Sequence, residues 1–374
     1  MVIKAVKEQL RANLPGFTDF SKRLSAKKWP KGSIVYYTGD RKAGLSPRSL
    51  EEGASGTSTA VIYLTKEWAK QGHKVVVYST CGDQEGIHDG VEYINYYKFN
   101  WHDAFDVLII LSHPYLLPLP IKARKVCWEW QDILGRPKIY PRHKIERFDH
   151  IFSKSKFQRQ LLPYVSDDKF TIVTNGVDKK IAQLSSNKKE PYKLIYGSRY
   201  YRGLDSMLAY GWPIIKQAIP EVELHVYHGW TRRENHHSQA EWKQEVIELM
   251  KQDGVVEHGK VSQKTLIEEK SKAAIHYYGC TYEEIDCISV RESAMVGCVP
   301  VTTDFAVFKE KSYCLRVPGE PKAKETQEAI AYKIVELLKN PQELEAIREE
   351  FAKNVQNETW ENIAKVWLET FDFD

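Results

Sequence analysis

Residues 33–38 (Ser-Ile-Val-Tyr-Tyr-Thr) and 74–79 (Lys-Val-Val-Val-Tyr-Ser) are short β-branched and aromatic runs without polar alternation. That pattern predicts strands buried on both faces, as in a parallel sheet. Parallel neighbours need a crossover, and the intervening chain supplies one. A loop, Gly53-Ala54-Ser55-Gly56-Thr57-Ser58, leads into a helical stretch over residues 60–71 that Gly72-His73 stops. Strand, glycine-rich loop, helix and strand make one βαβ unit. Further strands are predicted at residues 106–111, 125–130, 192–196, 223–227, 273–278 and 299–303, with helices between many of them. The turn dipeptide Asn175-Gly176 and the charged stretch 179–190 divide the series into two halves.

Composition sets the outer bounds. With 374 residues, 42% of them hydrophobic, the chain can hold two cores. A net charge of +4 suits anionic substrates and does not call for nucleic acid. Six cysteines are scattered with no C-x-x-C pair, which fits reduced thiols in a cytoplasmic protein better than a disulfide frame or a zinc site. No apolar run approaches the ~20 residues of a membrane span, so any membrane contact is expected to be peripheral. Residues 1–31 are basic, and Ile3, Val6, Leu10 and Leu14 fall at helical spacing. This extension reads as an amphipathic helix, either a membrane or acceptor-docking element or, the reading favoured, a helix packed on the first domain.

The chemistry concentrates in residues 282–300. An acidic loop with Glu283, Glu284 and Asp286 runs into a short helix beginning near Ile288, which Gly297 closes. Free N–H groups at Cys287, Ile288 and Ser289, with the helix dipole, offer a phosphate site. Glu284 and Glu292 flank it, and a carboxylate accepting on both oxygens suits a vicinal diol. Ser289-x-x-Glu292 also has capping-box spacing, so Glu292 capping its own helix stays open. The loop Gly197-Ser198-Arg199-Tyr200-Tyr201-Arg202-Gly203 follows a predicted strand, where Arg199 and Arg202 are placed to hold a diphosphate. In the first half, the strand tips deliver His113 and Asp132.

The stretch from Glu284 to Val301 resembles the E-x7-E motif of retaining glycosyltransferases of the GT-B fold, family 4. Gly53–Ser58 (residues 53–58) is similar to that family's first glycine-rich loop, with Thr57-Ser58 in the place of Ser-Glu. Asn175-Gly176-Val177-Asp178 looks like its N-G-V-D, Arg202-Gly203 like its basic residue before glycine, and residues 256–269 like the segment that cradles the base. Gln131-Asp132 stands where relatives often carry His-Asp. The resemblance spans roughly residues 33–370.

It implies two Rossmann-like domains facing across a cleft: an acceptor domain at 32–180, completed by 358–374, and a donor domain at 190–357. It further implies transfer of a sugar from a nucleoside diphosphate sugar to an acceptor hydroxyl of a glycan or lipid-linked compound, with retention and with no metal or other cofactor. Arg202, Arg199 and the Ile288–Ser289 turn (residues 288–289) would steady the leaving diphosphate. Glu284 would hold the donor sugar and Glu292 the ribose. Gly56, Ser198, Val261 and Cys287 would line the donor site, His113 would stand beside the reacting carbon, and Asp132 would face the acceptor. The competing readings are an epimerase or phosphorylase of the same fold, and an inactive sugar-nucleotide-binding protein.

Overall fold

A computed structural model describes residues 15–40, 44–112, 120–133, 142–231 and 234–373. Its first sheet contains β1 (Ile34–Tyr37), β2 (Val75–Ser79), β3 (Gly86–His88), β4 (Val91–Asn95), β5 (Ala104–Leu111), β6 (Lys122–Glu129), β7 (His150–Ser153) and β8 (Phe170–Ile172). Their order is β3-β4-β2-β1-β5-β6-β7-β8. Among the described strands only β3, which the sequence did not announce, runs antiparallel, against β4. The second sheet is β9 (Glu190–Gly197), β10 (Glu223–Tyr227), β11 (Val255–Gly259), β12 (Ala273–Tyr278), β13 (Val299–Thr303) and β14 (Leu315–Val317), all parallel. Its order, β11-β10-β9-β12-β13-β14, reverses direction between β9 and β12. The first sheet reverses in the same way between β1 and β5. Such switch points open a crevice at the carboxyl edge of a sheet, where ligands of doubly wound folds bind.

Five helices matter to the argument: α1 (Pro15–Leu24), α2 (Gly56–Lys70), α3 (Gln263–Lys272), α4 (Ile288–Met295) and α5 (Trp360–Phe371). β1 and β2 pair in register from Ile34 opposite Val75, and α2 is the crossover that joins them. The chain's last helix does not stay with the second sheet. Trp367 and Phe371 of α5 pack in the first core, with ring centroids 5.5 Å and 5.6 Å from Trp68 of α2. The indole N–H of Trp68 donates to Ala364 O at 3.3 Å. Carbonyls at the end of α5, unpaired within the helix, accept from β6: Arg124 Nη1 reaches Phe371 O (3.0 Å) and Asp372 O (2.8 Å), and Lys125 Nζ reaches Thr370 O (2.6 Å). Cations at a helix C-terminus also complement its dipole.

The apolar spacing read at Ile3, Val6, Leu10 and Leu14 lies outside the described residues. What is described of the basic leader docks on the first domain. Lys22 Nζ donates to Phe99 O (2.9 Å), Asn100 Nδ2 to Lys22 O (2.8 Å), and His102 Nε2 meets Asp19 at 2.7 Å. Among the described residues, no helix is long and apolar enough to cross a membrane. Between β9 and β10 a π-helical turn, Met207–Gly211, is continued by the helix Trp212–Ala218. The six cysteines are all free thiols.

One packing detail sets a pH dependence. Burial, helped by the charge of Lys125, pushes the His150 imidazole down to about 4. An unfolded chain binds that proton near pH 6.5, so it gains protons first as pH falls. Stability is expected to be whole above about pH 6.5 and to decline by up to ~3 kcal/mol toward pH 4. Urea unfolding of His150→Gln against wild type checks this: the variant's curve should be flatter over that window. Equal slopes would refute it.

Candidate functional site

The site forms where the carboxyl edges of the two sheets meet. On the second-domain side, β9 ends at Gly197, and Ser198 Oγ hydrogen-bonds the hydroxyl of Tyr278, the last residue of β12, at 3.1 Å. Tyr278 donates onward to Glu284 Oε1 at 2.7 Å. The two strands that flank the switch point are thus tied to the acidic loop by one chain of hydroxyls. Arg199 follows Ser198 and enters a tight turn, Tyr200–Arg202, braced by Tyr196 Oη donating to Arg199 O at 2.6 Å. Gly203 ends that turn at φ +117°, and a Cβ there would collide with the Gly279 carbonyl oxygen. Glycine after Arg202 is therefore a requirement of backbone approach.

The turn aims Arg202 into the cleft. Its Nη1 donates to Glu284 Oε1, and its guanidinium lies 4.8 Å from the centroid of the Tyr282 ring. Burial opposes its charge most strongly, but the surrounding groups, led by the Glu284 carboxylate, together outweigh it and hold the guanidinium firmly protonated. Nε of Arg202 is buried and has no hydrogen-bond partner among the described residues. Orphan buried donors are rare in native proteins, and a bound anion is one way to satisfy them. Arg199 sits beside this group, its Nη1 on Tyr201 Oη at 2.9 Å.

Helix α4 begins at Ile288. Cys287, its N-cap, adopts left-handed backbone (φ 72°) and, among the described residues, makes no side-chain cap of the usual kind. Ser289 is inside the helix, and its hydroxyl donates to Gly197 O at 3.2 Å. The capping box left open from the sequence therefore does not form. Glu292 turns instead toward α3, where Gln263 Nε2 donates to Oε1 and Lys270 Nζ to Oε2 at 2.7 Å. Lys270, itself fully buried, also reaches Ser289 O (3.1 Å) and Ser289 Oγ (3.0 Å).

The first domain supplies the opposite wall. Ser55 caps α2 by accepting from Ser58 N at 3.1 Å, which fixes the glycine-rich loop at the helix start. The loop touches the second domain: a Cβ on Gly53, at φ +87°, would come within 2.6 Å of Val261 O. A Cβ on Gly56 would stand 3.9 Å from Ile288 Cδ1. Gln131 belongs to a buried polar chain. Its Nε2 donates to Glu129 Oε1 (2.7 Å) and Asn175 Oδ1 (3.1 Å), and Lys154 Nζ pairs with Glu129 at 2.7 Å. Asp132 lines the cleft, with its backbone carbonyl held by Gln158. His113 lies outside the described residues.

Gly56, Ser198, Arg199, Arg202, Glu284, Cys287, Ile288, Ser289, Glu292 and Asp132 all face one cavity of about 240 Å³. Val261 lines an adjoining one with Tyr227, His228 and Lys260, and Arg199 and Gln263 border both. Of the acidic loop, Asp286 is committed elsewhere. It takes a bidentate pair from Arg291 (2.9 and 2.6 Å) and a third contact from Lys311 (3.0 Å). Sequence reading met Asn175 and Gln263 only within the N-G-V-D and 256–269 stretches, and missed Tyr278 and Lys270. Helical phase carried a signal for the last, because Lys270 and Ser271 lie three and four places beyond Ile267 on one buried face.

The architecture has solved counterparts. Sucrose-phosphate synthase (tll1590) from Thermosynechococcus elongatus superposes with a TM-score of 0.68 at 14% identity, over 91% of this chain and 98% of that one. A glycosyltransferase from Rickettsia africae gives 0.67 at 14% identity, over 91% and 98%. Anabaena HepE in complex with UDP and glucose gives 0.64 at 13% identity, over 90% and 99%. The shared arrangement of two facing parallel-sheet domains is the GT-B fold. No protein-family model and no curated protein matches the sequence.

Proposed function

We propose that the cleft binds a nucleoside diphosphate sugar and transfers its sugar to an acceptor hydroxyl with retention of configuration, without a metal. The observation that carries this reading is Arg202. It reaches the cleft held by Glu284, its Nε without a partner among the described residues, beside a helix N-terminus whose N-cap side chain forms no usual cap there. Guanidinium and backbone N–H groups converging on one point suit a diphosphate. In the reaction, the bond from the anomeric carbon to the diphosphate oxygen breaks, leaving its electron pair on that oxygen. The acceptor oxygen bonds the same face of the carbon and passes its proton to the departing diphosphate oxygen. Arg202, Arg199 and the first turn of α4 steady the charge that grows on the departing diphosphate, commonly the largest single catalytic contribution.

Glu284 then takes donor-sugar hydroxyls, for which Oε2 is available: both of its hydrogen bonds to described side chains fall on Oε1. Glu292 takes the ribose diol, and the Lys260–Val261 side of the adjoining cavity (residues 260–261) takes the base. Asp132 faces the acceptor hydroxyl, and His113 is assigned to the reacting sugar. UDP is the first nucleotide to try, since HepE was solved with it.

The test is a thermal-shift and calorimetric panel of UDP, GDP, ADP and their common sugars, with and without EDTA. A ligand at 100 times its dissociation constant adds about 2.7 kcal/mol to stability. One nucleotide should bind equally well with EDTA present. No binding by any of them to folded protein would remove the reading; binding abolished by EDTA would remove its metal-free form.

A further inference from the structure

Resting on that donor reading, we infer that Lys270 is a positioning residue: its charge lets Glu292 serve the ribose without repelling the diphosphate next to it. The problem it answers is electrostatic. Glu292 is one turn inside α4, the helix whose N-terminus faces the cleft, and it is buried. A bare buried carboxylate in that place would set a negative charge beside the anion the helix end attracts.

The geometry cancels that charge where it arises. All three N–H donors of the Lys270 ammonium are matched to acceptors: Glu292 Oε2 at 2.7 Å, Ser289 Oγ at 3.0 Å and Ser289 O at 3.1 Å. One cation thus grips both the carboxylate and the second residue of α4. Gln263 holds the other oxygen of Glu292 with a neutral donor. Each carboxylate oxygen therefore has one protein partner and keeps a lone pair for a ribose hydroxyl. Other charges bordering the cleft are Arg199, Arg202, Glu284, Asp132 and Asp286, with Arg202 paired to Glu284 and Asp286 to Arg291 and Lys311. Lys270 is the cation that pairs with Glu292 among the described residues.

The test uses the full-length protein, with the affinities of UDP and of uridine (or of the nucleotide and nucleoside whose base the wild type prefers) measured by calorimetry. The readout is the ratio of the two, which isolates the diphosphate from ribose and base. Lys270→Met should lower the ratio about tenfold. Lys270→Met/Glu292→Gln, which removes both charges, should restore it. Glu292→Gln alone leaves the ammonium unopposed and should raise the ratio above wild type, so the inference stays testable if Lys270→Met fails to fold. Loss of a merely structural contact would weaken nucleotide and nucleoside alike. A ratio unchanged across folded variants overturns the inference and leaves the donor reading standing. A wild type that binds no nucleoside diphosphate overturns both.

Discussion

Arg202→Ala is expected to lower turnover of the nucleotide sugar by about 10²- to 10³-fold, the usual cost of removing one preorganised donor from a site of developing charge. Release of nucleoside diphosphate from whichever donor the wild type binds is the measurement. The side chain is held from two directions, by Glu284 through Nη1 and by the Tyr282 ring against its face. Its position is therefore set before any ligand arrives, and preorganisation gives the effect its size. Removal also strands Glu284, which keeps only Tyr278 as a side-chain donor among the described residues. The companion variant Arg202→Ala/Glu284→Gln removes that stranded charge and should not recover activity. Wild-type turnover by folded Arg202→Ala would end the assignment of Arg202 to the diphosphate.

The second large effect concerns stability. Arg291→Met should cost about 3–5 kcal/mol in denaturant unfolding, as expected when one partner of a buried ion cluster is removed. Arg291 is fully buried and holds Asp286 with two bonds while its Nε donates to Glu358 at 2.6 Å. Asn175 N, from the first domain, also donates to Asp286, at 3.3 Å. The cluster therefore joins the acidic loop, helix α4, the Asn175 turn and the crossing before α5. Burial by itself would raise the Asp286 carboxyl; the charges of Arg291 and Lys311 overcome it and hold the group far below the carboxylate range. The sign follows: this contribution is present above the unfolded value near pH 4 and is lost only as pH falls below it. Below that value wild type should therefore lose stability more steeply than the variant, so the gap between the two narrows as pH falls. A cost under ~1 kcal/mol would show that the cluster is not what holds these segments together.

The contrast between Arg202 and Arg291 shows what a linear reading can and cannot reach. Parallel strands announced themselves through unbroken apolar runs, and the start of α4 at Ile288 followed from the acidic loop and the glycine after it. Glu284 and Glu292 were legible as a spaced pair, and both line the same cavity. Their partners were not, because Arg202 lies 82 residues from Glu284 and Lys270 lies 22 from Glu292. Asp286 read as one more acid of a substrate loop, since nothing local distinguishes a carboxylate that faces solvent from one locked under a guanidinium. Lys270 stood among Glu268, Glu269 and Lys272, where charge density suggests a wetted surface. Only the helical phase against Ile267 points it inward.

The return of α5 to the first sheet has a consequence for how the molecule is made. Trp360, Ile363, Ala364, Trp367 and Phe371 belong to the same core as Ile34, Trp68 and Phe152. Translation delivers the β1–α2–β2 unit well before the aromatic wall that seals it. Domains usually fold as they leave the ribosome. Here the earlier one must wait, with Trp68 uncovered, until its successor has been synthesised, so the two halves mature together rather than in turn.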